Sequence, residues 1–323
     1  VRPDLIVTEN GFALCEIETS PFGLALAEML NKAARQENFE TLVGDRDLAD
    51  DIQLSTPTQG TILFSDKTKS YKGQLMFLAD KVFSSVDRKW GTADISDKQS
   101  NQNNVIYRGF YLSEYLHDPN VQFLINELNG NRNLVMPGLT PQFEEKAILA
   151  LIWDKRWEQQ IRKQIGDAAF NHLRTVIPPT WIVGEEQYFS PGTPGGIETA
   201  VELASLSKSK RTYVLKSSGY GSNGSWSEGV TFLQSESRNY AYGKLIKAFS
   251  DNSSLHVIQE FKKPTRIPMF YESGNELLPM LAKIRLTPYF NSESGKLIAI
   301  KATGVKNTDL IHATTASINT SVG

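Results

Sequence analysis

Val1–Glu18 reads VRPDLIVTENGFALCEIE, and its spacing predicts a β-hairpin with a charged face. Leu5–Thr8 and Phe12–Glu18 are strand-like, and Glu9-Asn10-Gly11 between them suits a three-residue loop closing on a glycine that accepts positive φ. In that register Asp4 faces Glu16 and Arg2 faces Glu18. Leu5, Val7, Ala13, Cys15 and Ile17 then share the opposite, core-facing side. Three carboxylates and one guanidinium are gathered where like charges directly opposed are destabilising. A hard divalent cation with oxygen ligands, here Asp4, Glu16 and Glu18, removes that penalty. The alternative is an ordinary solvated strand face.

The rest of the composition bounds the chain without deciding its chemistry. At 323 residues it is long enough for two or three domains, and 40% hydrophobic with 22% charged content describes a globular protein. A net charge of −2 provides no bulk attraction for nucleic acid or an anionic membrane, so phosphate binding requires a local site. The single Cys15 excludes an intramolecular disulfide framework and a cysteine zinc cluster. It fits a reducing compartment, so a cytoplasmic location is expected, and its place on the core face predicts a buried, inert thiol. No apolar run reaches the length of a membrane span and no signal-peptide pattern is present. Val1 opens directly on a strand without methionine, so residues upstream of it are expected.

After the hairpin, Ser20 as N-cap and Pro21 at the first helical position predict a helix reaching about Arg35. Residues 36–60 read as a connection whose acids, among them Asp45, Asp47, Asp50 and Asp51, are solvated. Strands at Thr61–Ser65 and Val105–Phe110, alternating with helices near Gln74–Ser84 and Ser113–Leu128, predict a small α/β unit. Pro141 and the acids after it open a helix with a buried stripe of Ala147, Ile148, Leu151, Ile152 and Ile161. Trp181–Val183 is a further strand, and Ser190–Gly196 is a loop. The resulting division is 1–50, 55–135 for the α/β unit, 136–210 and 211–323.

A second informative stretch is Thr212–Leu233, TYVLKSSGYGSNGSWSEGVTFL. A strand delivers Lys216 into a loop containing Ser218, Gly219, Gly221, Gly224 and Gly229, and a second strand returns from Val230. Glycines let the backbone approach phosphate oxygens and the lysine supplies charge; the alternative is a flexible surface hairpin. Because the loop joins two strands, it is neither a Walker loop nor a dinucleotide fingerprint, both of which end on a helix. Strands follow at His256–Phe261, Met280–Tyr289 and Leu297–Ala302. Arg285, inside an apolar strand, calls for a carboxylate or phosphate partner. Lys301, Asn307, Asp309, His312 and Asn319 form a polar C-terminal group suited either to a substrate pocket or to a surface tail. His117, His172, His256 and His312 have no metal-ligand spacing.

A lysine before a glycine-rich hairpin, then Gln259-Glu260-Phe261, then a strand arginine is an order that resembles the ATP-grasp ligases. With acidic residues at the front of the chain it resembles their circularly permuted branch, of the glutathionylspermidine synthase type. Arg2-Pro3-Asp4, Glu16-Ile17-Glu18 and Ser20-Pro21 match that family's spacing, with Glu18 where the family has asparagine. Glu145-Lys146-Ala147-Ile148-Leu149 matches another family segment, again with glutamate for asparagine. The resemblance implies an α+β, circularly permuted ATP-grasp fold with an additional small α/β domain. It also implies ATP and Mg²⁺ as cofactors and small-molecule carboxylate, amine or peptide substrates. Carried over residue by residue, Asp4, Glu16 and Glu18 hold the metal. Lys146, Lys216, Ser218, Gly219, Gly221, Gly224, Gln259, Glu260 and Phe261 hold the nucleotide, while Arg285 and Arg2 serve catalysis. A polyamine ligase and a peptide or amino-acid ligase stand equally open. The rival is a nucleotide- or substrate-binding partner of the same fold that has lost catalysis, and a kinase that stops at phosphorylation is a third reading.

Overall fold

Strands β1 (Arg2–Thr8) and β2 (Gly11–Glu18) pair antiparallel, with Arg2 opposite Glu18 and Asp4 opposite Glu16 as the spacing predicts. These and the following features come from a computed structural model that describes residues 1–20, 22–53, 56–97, 105–130, 134–184, 196–218, 229–274, 276–312 and 317–323. Beyond Asp4 the register shifts, so that Leu5 faces Leu14 and Thr8 faces Gly11. The loop is therefore Glu9-Asn10, one residue shorter than expected, and Cys15 is the extra residue of a β-bulge. The bulge also exchanges faces. Leu14 joins Leu5 and Ile17 against Leu149, Ile152, Phe170 and Ile177. Ala13 and Cys15, expected in the core, line a cavity beside Ile6 instead.

The chain's first hairpin completes a sheet made by its last strands, β11 (Arg266–Ser273), β12 (Glu276–Phe290), β13 (Leu297–Val305) and β14 (Ser317–Thr320). All pairings are antiparallel, in the order β14-β13-β12-β1-β2, with β11 paired to the first half of β12. A second antiparallel sheet, order β7-β10-β8-β9, comprises β7 (Thr180–Ile182), β8 (Tyr213–Ser217), β9 (Val230–Phe232) and β10 (His256–Glu260). Helices Ala200–Ser205 and Arg238–Ser250 cover it, burying Leu203, Ala204, Ala241 and Leu245 against Leu215 and Ile258. The third sheet is parallel, order β4-β3-β5-β6, from β3 (Gln59–Phe64), β4 (Lys89–Asp94), β5 (Val105–Gly109) and β6 (Leu134–Met136). Ile62, Leu63 and Phe64 are buried in succession, the signature of a strand covered on both faces.

Several local expectations are corrected. The first helix is Leu24–Gln36, starting later than Ser20 predicts; its N-cap is Gly23 at φ 85°, and Ser20 Oγ donates to Glu18 Oε2 at 2.9 Å. A Cβ at Gly23 would sit 2.5 Å from the Tyr289 hydroxyl, so glycine there answers both a left-handed backbone and a close approach. Pro21 lies outside the described residues. Residues Pro141–Glu144 and Lys146–Ala150 form two short 3₁₀ turns, and the α-helix begins only at Lys155. Asp51 is buried between Lys296 and Arg46, not solvated. β11 and β14 were not foreseen, the latter because Ser317–Thr320 is too polar to read as a strand. No helix among the described residues is long and apolar enough to cross a membrane.

One buried cation ties the parallel sheet to the rest. Arg108 on β5 is fully buried and donates to Phe110 O at 3.0 Å and Thr19 Oγ1 at 2.9 Å, with Glu144 Oε1 at 2.6 Å. Removing one partner of such a pair strands the other charge. Arg108→Met is expected to destabilise the fold by about 3–5 kcal/mol, read from the midpoint of urea denaturation.

Candidate functional site

A cavity opens between the six-stranded sheet and the sheet of β7–β10, and the α/β unit closes one end with Tyr71, Gln74 and Tyr111. Alternation along β12 turns Arg285, Thr287 and Tyr289 to one face. Thr287 stands beside Lys301 and Arg285 beside Thr303, which in turn stands beside Asn319. On the other side the Thr287 hydroxyl donates to Asp4 Oδ1 at 3.3 Å. A polar row, Glu16–Asp4–Thr287–Lys301, therefore crosses four strands. The period-two polar residues of β12 were a readable signal for this row, and Thr287 was missed because a single uncharged threonine in that strand does not stand out beside Lys283 and Arg285.

Each of the three carboxylates on the hairpin strands meets a cation. Asp4, 1% exposed, has Arg285 Nη1 3.0 Å from Oδ2 and Arg2 Nε 3.6 Å from Oδ1. Glu18 closes on Arg2, whose Nη1 also donates to Phe22 O at 3.0 Å. Lys146 Nζ lies 3.3 Å from Glu16 Oε2. Burial alone would raise the Glu16 carboxyl, but Lys146, Lys216 and Arg285 hold it well below the usual carboxylate range. Burial pushes the Glu18 carboxyl up; Arg2 opposes the rise while Glu16 and Asp4 add to it.

The β8–β10 sheet supplies the facing wall. Lys216, 8% exposed, donates to Gln259 Oε1 at 2.7 Å and to Cys15 O at 3.1 Å. That carbonyl belongs to the bulged residue, so the irregularity of β2 and the lysine of β8 meet directly. Gln259 Nε2 donates in turn to Thr180 Oγ1 at 3.0 Å. Ser218 is fully buried; its hydroxyl bonds Glu145 Oε2 and accepts from Ala147 N at 3.1 Å, which fixes the turn carrying Lys146. Glu260 N and Phe261 N donate to Pro179 O and Thr212 O, both at 2.8 Å. Gln259, Glu260 and Phe261 all line the cavity. Gly219, Gly221 and Gly224 lie outside the described residues.

Among the described residues the cavity is lined by six cations, Arg2, Lys146, Lys216, Lys262, Arg285 and Lys301, and by five acids, Asp4, Glu16, Glu18, Glu260 and Asp309. The excess of one positive charge in a partly buried space favours an anionic ligand. From the C-terminal group, Asp309, His312 and Lys301 line the cavity, Asn319 bonds Lys301, and Asn307 is exposed. Among the described residues no three acidic, histidine or cysteine side chains are grouped as a metal cage. A magnesium ion serving phosphates needs only one or two carboxylates besides them. Asp4 and Glu16, directly opposed, fit that requirement: Asp4 Oδ2 is buried and accepts no hydrogen bond, although it lies beside Arg285.

No family model matches the chain, and no curated protein matches it in sequence. Among solved structures it is similar to a glutathione synthetase-like effector from Globodera pallida in its apo form. That likeness has a TM-score of 0.52 and 12% identity, over 99% of this chain and 75% of the other. D-alanine–D-alanine ligase from Bacillus anthracis complexed with ATP (15% identity, 83% and 72% coverage) also matches, as does D-alanyl-alanine synthetase A from Vibrio cholerae O1 biovar eltor str. N16961 (12%, 79% and 76%). Their TM-scores of 0.34 and 0.32 are too low to establish a common fold. The fold is α+β, of the ATP-grasp type.

Two outcomes follow from the buried charges. Asp4→Asn leaves Arg2 and Arg285 short of a counterion and is expected to lower stability by about 3 kcal/mol in chemical denaturation, so Asp4 is structural as well as a candidate ligand. Burial also raises the Cys15 thiol above its ordinary value. Since only the thiolate reacts, iodoacetamide labelling at neutral pH should be slower than for a free cysteine and rise later with pH.

Proposed function

We propose that the chain is an ATP-dependent ligase that joins a carboxylate to an amine through an acyl phosphate. The observation that carries this reading is the convergence of Lys146, Lys216 and Arg285, far apart in sequence, on one cavity whose wall ends in Gln259-Glu260-Phe261. The γ-phosphoryl group passes to a carboxylate oxygen and ADP leaves. The amine nitrogen then attacks the acyl carbon, phosphate leaves, and the amine's proton goes to solvent.

Lys216 and Lys146 bind phosphate oxygens in this scheme, and Arg285 stabilises the charge on the transferring group. Arg2, already engaged by Glu18, Asp4 and the Phe22 carbonyl, positions the hairpin carboxylates and does not grip substrate. Mg²⁺ held by Asp4 and Glu16 would supply positive charge at the phosphates, while Glu18 stays engaged with Arg2. The β10 end receives the adenine, with Phe232 and Val214 as its apolar neighbours. A partly buried cavity limits the access of water to an acyl phosphate, which hydrolyses readily. Catalysis of this kind is positioning and electrostatics, and no nucleophilic side chain is called for.

ADP release is the discriminating measurement. With pools of amino acids, short peptides and amines, the unaltered chain is expected to release ADP from Mg-ATP only when carboxylate and amine are both present. Lys216→Met should reduce that release to background while the circular dichroism spectrum stays unchanged. Nucleotide binding without any co-substrate-dependent ADP release would instead identify a non-catalytic nucleotide-binding protein.

A further inference from the structure

Of the six cations lining the cavity, four have a carboxylate partner: Arg2 with Glu18, Arg285 with Asp4, Lys146 with Glu16 and Lys262 with Glu260. Lys216 and Lys301 hydrogen-bond only to neutral oxygens among the described residues. Lys216 belongs to the nucleotide wall. Lys301 stands across the cavity on β13, one strand beyond the Thr287 that donates to Asp4.

Its surroundings form a built seat. Lys301 Nζ donates to Thr303 Oγ1 and to Asn319 Oδ1, both at 3.2 Å, and the Thr303 hydroxyl donates to the same Asn319 oxygen at 2.9 Å. An ammonium carries three N–H donors, and the two bonds leave one without a partner among the described residues. Lys301 is 5% exposed, and a buried ammonium with no counterion is strongly unfavourable. The nearest acid from the C-terminal segment does not compensate, because Asp309 is taken by Lys283. Burial and Arg285 bring the Lys301 pKa down to about 8, which still leaves it charged at neutral pH.

We infer that Lys301, backed by Thr303 and Asn319, is the seat of a substrate carboxylate, and that the cavity takes small carboxylates such as amino acids, dicarboxylates or short peptides in preference to polyamines. This rests on the ligase reading for its meaning but not for its test. A polyamine entering this end would meet Arg2, Arg285 and Lys301, while Asp4 and Glu18 are already spent on guanidinium groups.

Calorimetric titration of the full chain at pH 7 with succinate, glycylglycine and spermidine tests it, using the unaltered chain, Lys301→Met and Asn319→Asp. Asn319→Asp keeps the lysine and gives it a counterion, so it decides the matter if Lys301→Met fails to fold. The expected result is binding of a carboxylate probe by the unaltered chain, weakened about tenfold or more in both variants, with Mg-ATP binding unchanged and spermidine silent. Failure of the unaltered chain to bind either carboxylate, equal binding by the folded variants, or spermidine binding as tight as the carboxylates would overturn the inference. Loss of Mg-ATP binding in the unaltered chain would sink the ligase reading alone, since the carboxylate titrations are read independently of nucleotide.

Discussion

Everything about the cavity depends on one constraint: charges taken out of water must be matched nearly one for one. Asp4 is the tightest case, buried between the guanidinium groups of Arg2 and Arg285, which come from neighbouring strands of the same sheet. That pairing brings the beginning of the chain onto the strands near its end. The same matching sets the places of Lys146 opposite Glu16 and of Arg2 against Glu18. At an effective dielectric of about 20 each such contact is worth a few kcal/mol of attraction, enough to offset much of the desolvation but not to leave a surplus. The site is thus electrostatically taut, and cations lacking an acid stand out within it.

The hairpin register near Arg2 and Asp4 was legible only because the bulge at Cys15 makes up for a loop one residue shorter than the spacing predicts. The bulge was not, since Ala13, Leu14 and Cys15 are apolar alike and the choice among them is made by packing against Leu149 and Phe170. For the same reason the sequence places Cys15 in the core, whereas the bulge turns it to the cavity and brings its carbonyl within reach of Lys216. Helix starts failed similarly. Ser20 has the chemistry of an N-cap, but its hydroxyl is claimed by Glu18, and Gly23 takes the cap because Tyr289 leaves no room for a side chain there.

Lys146, Lys216, Gln259, Glu260, Phe261 and Arg285 were all legible as candidates, and all line the cavity. What the sequence could not supply is their partners. Gln259 reads as part of an apolar strand, yet its amide bridges Lys216 and Thr180. Lys301 sits in a predicted strand and Asn319 in the polar tail after it, and only the β13–β14 pairing makes them neighbours. Non-local hydrogen bonds of this kind have no periodicity to betray them.

The buried Arg108 also bears on how separable the parts of this molecule are. It reaches Thr19, the residue after Glu18, and Glu144, two residues before Lys146. The parallel-sheet unit therefore holds both the end of the acidic hairpin and the turn that carries Lys146. It cannot be treated as a detachable module: excising residues 59–136, or exchanging them for another domain, would leave Glu144 without its guanidinium partner and remove one support from both flanking segments. The lining of the cavity would have to be altered residue by residue, because the unit that closes one end also supports the frame.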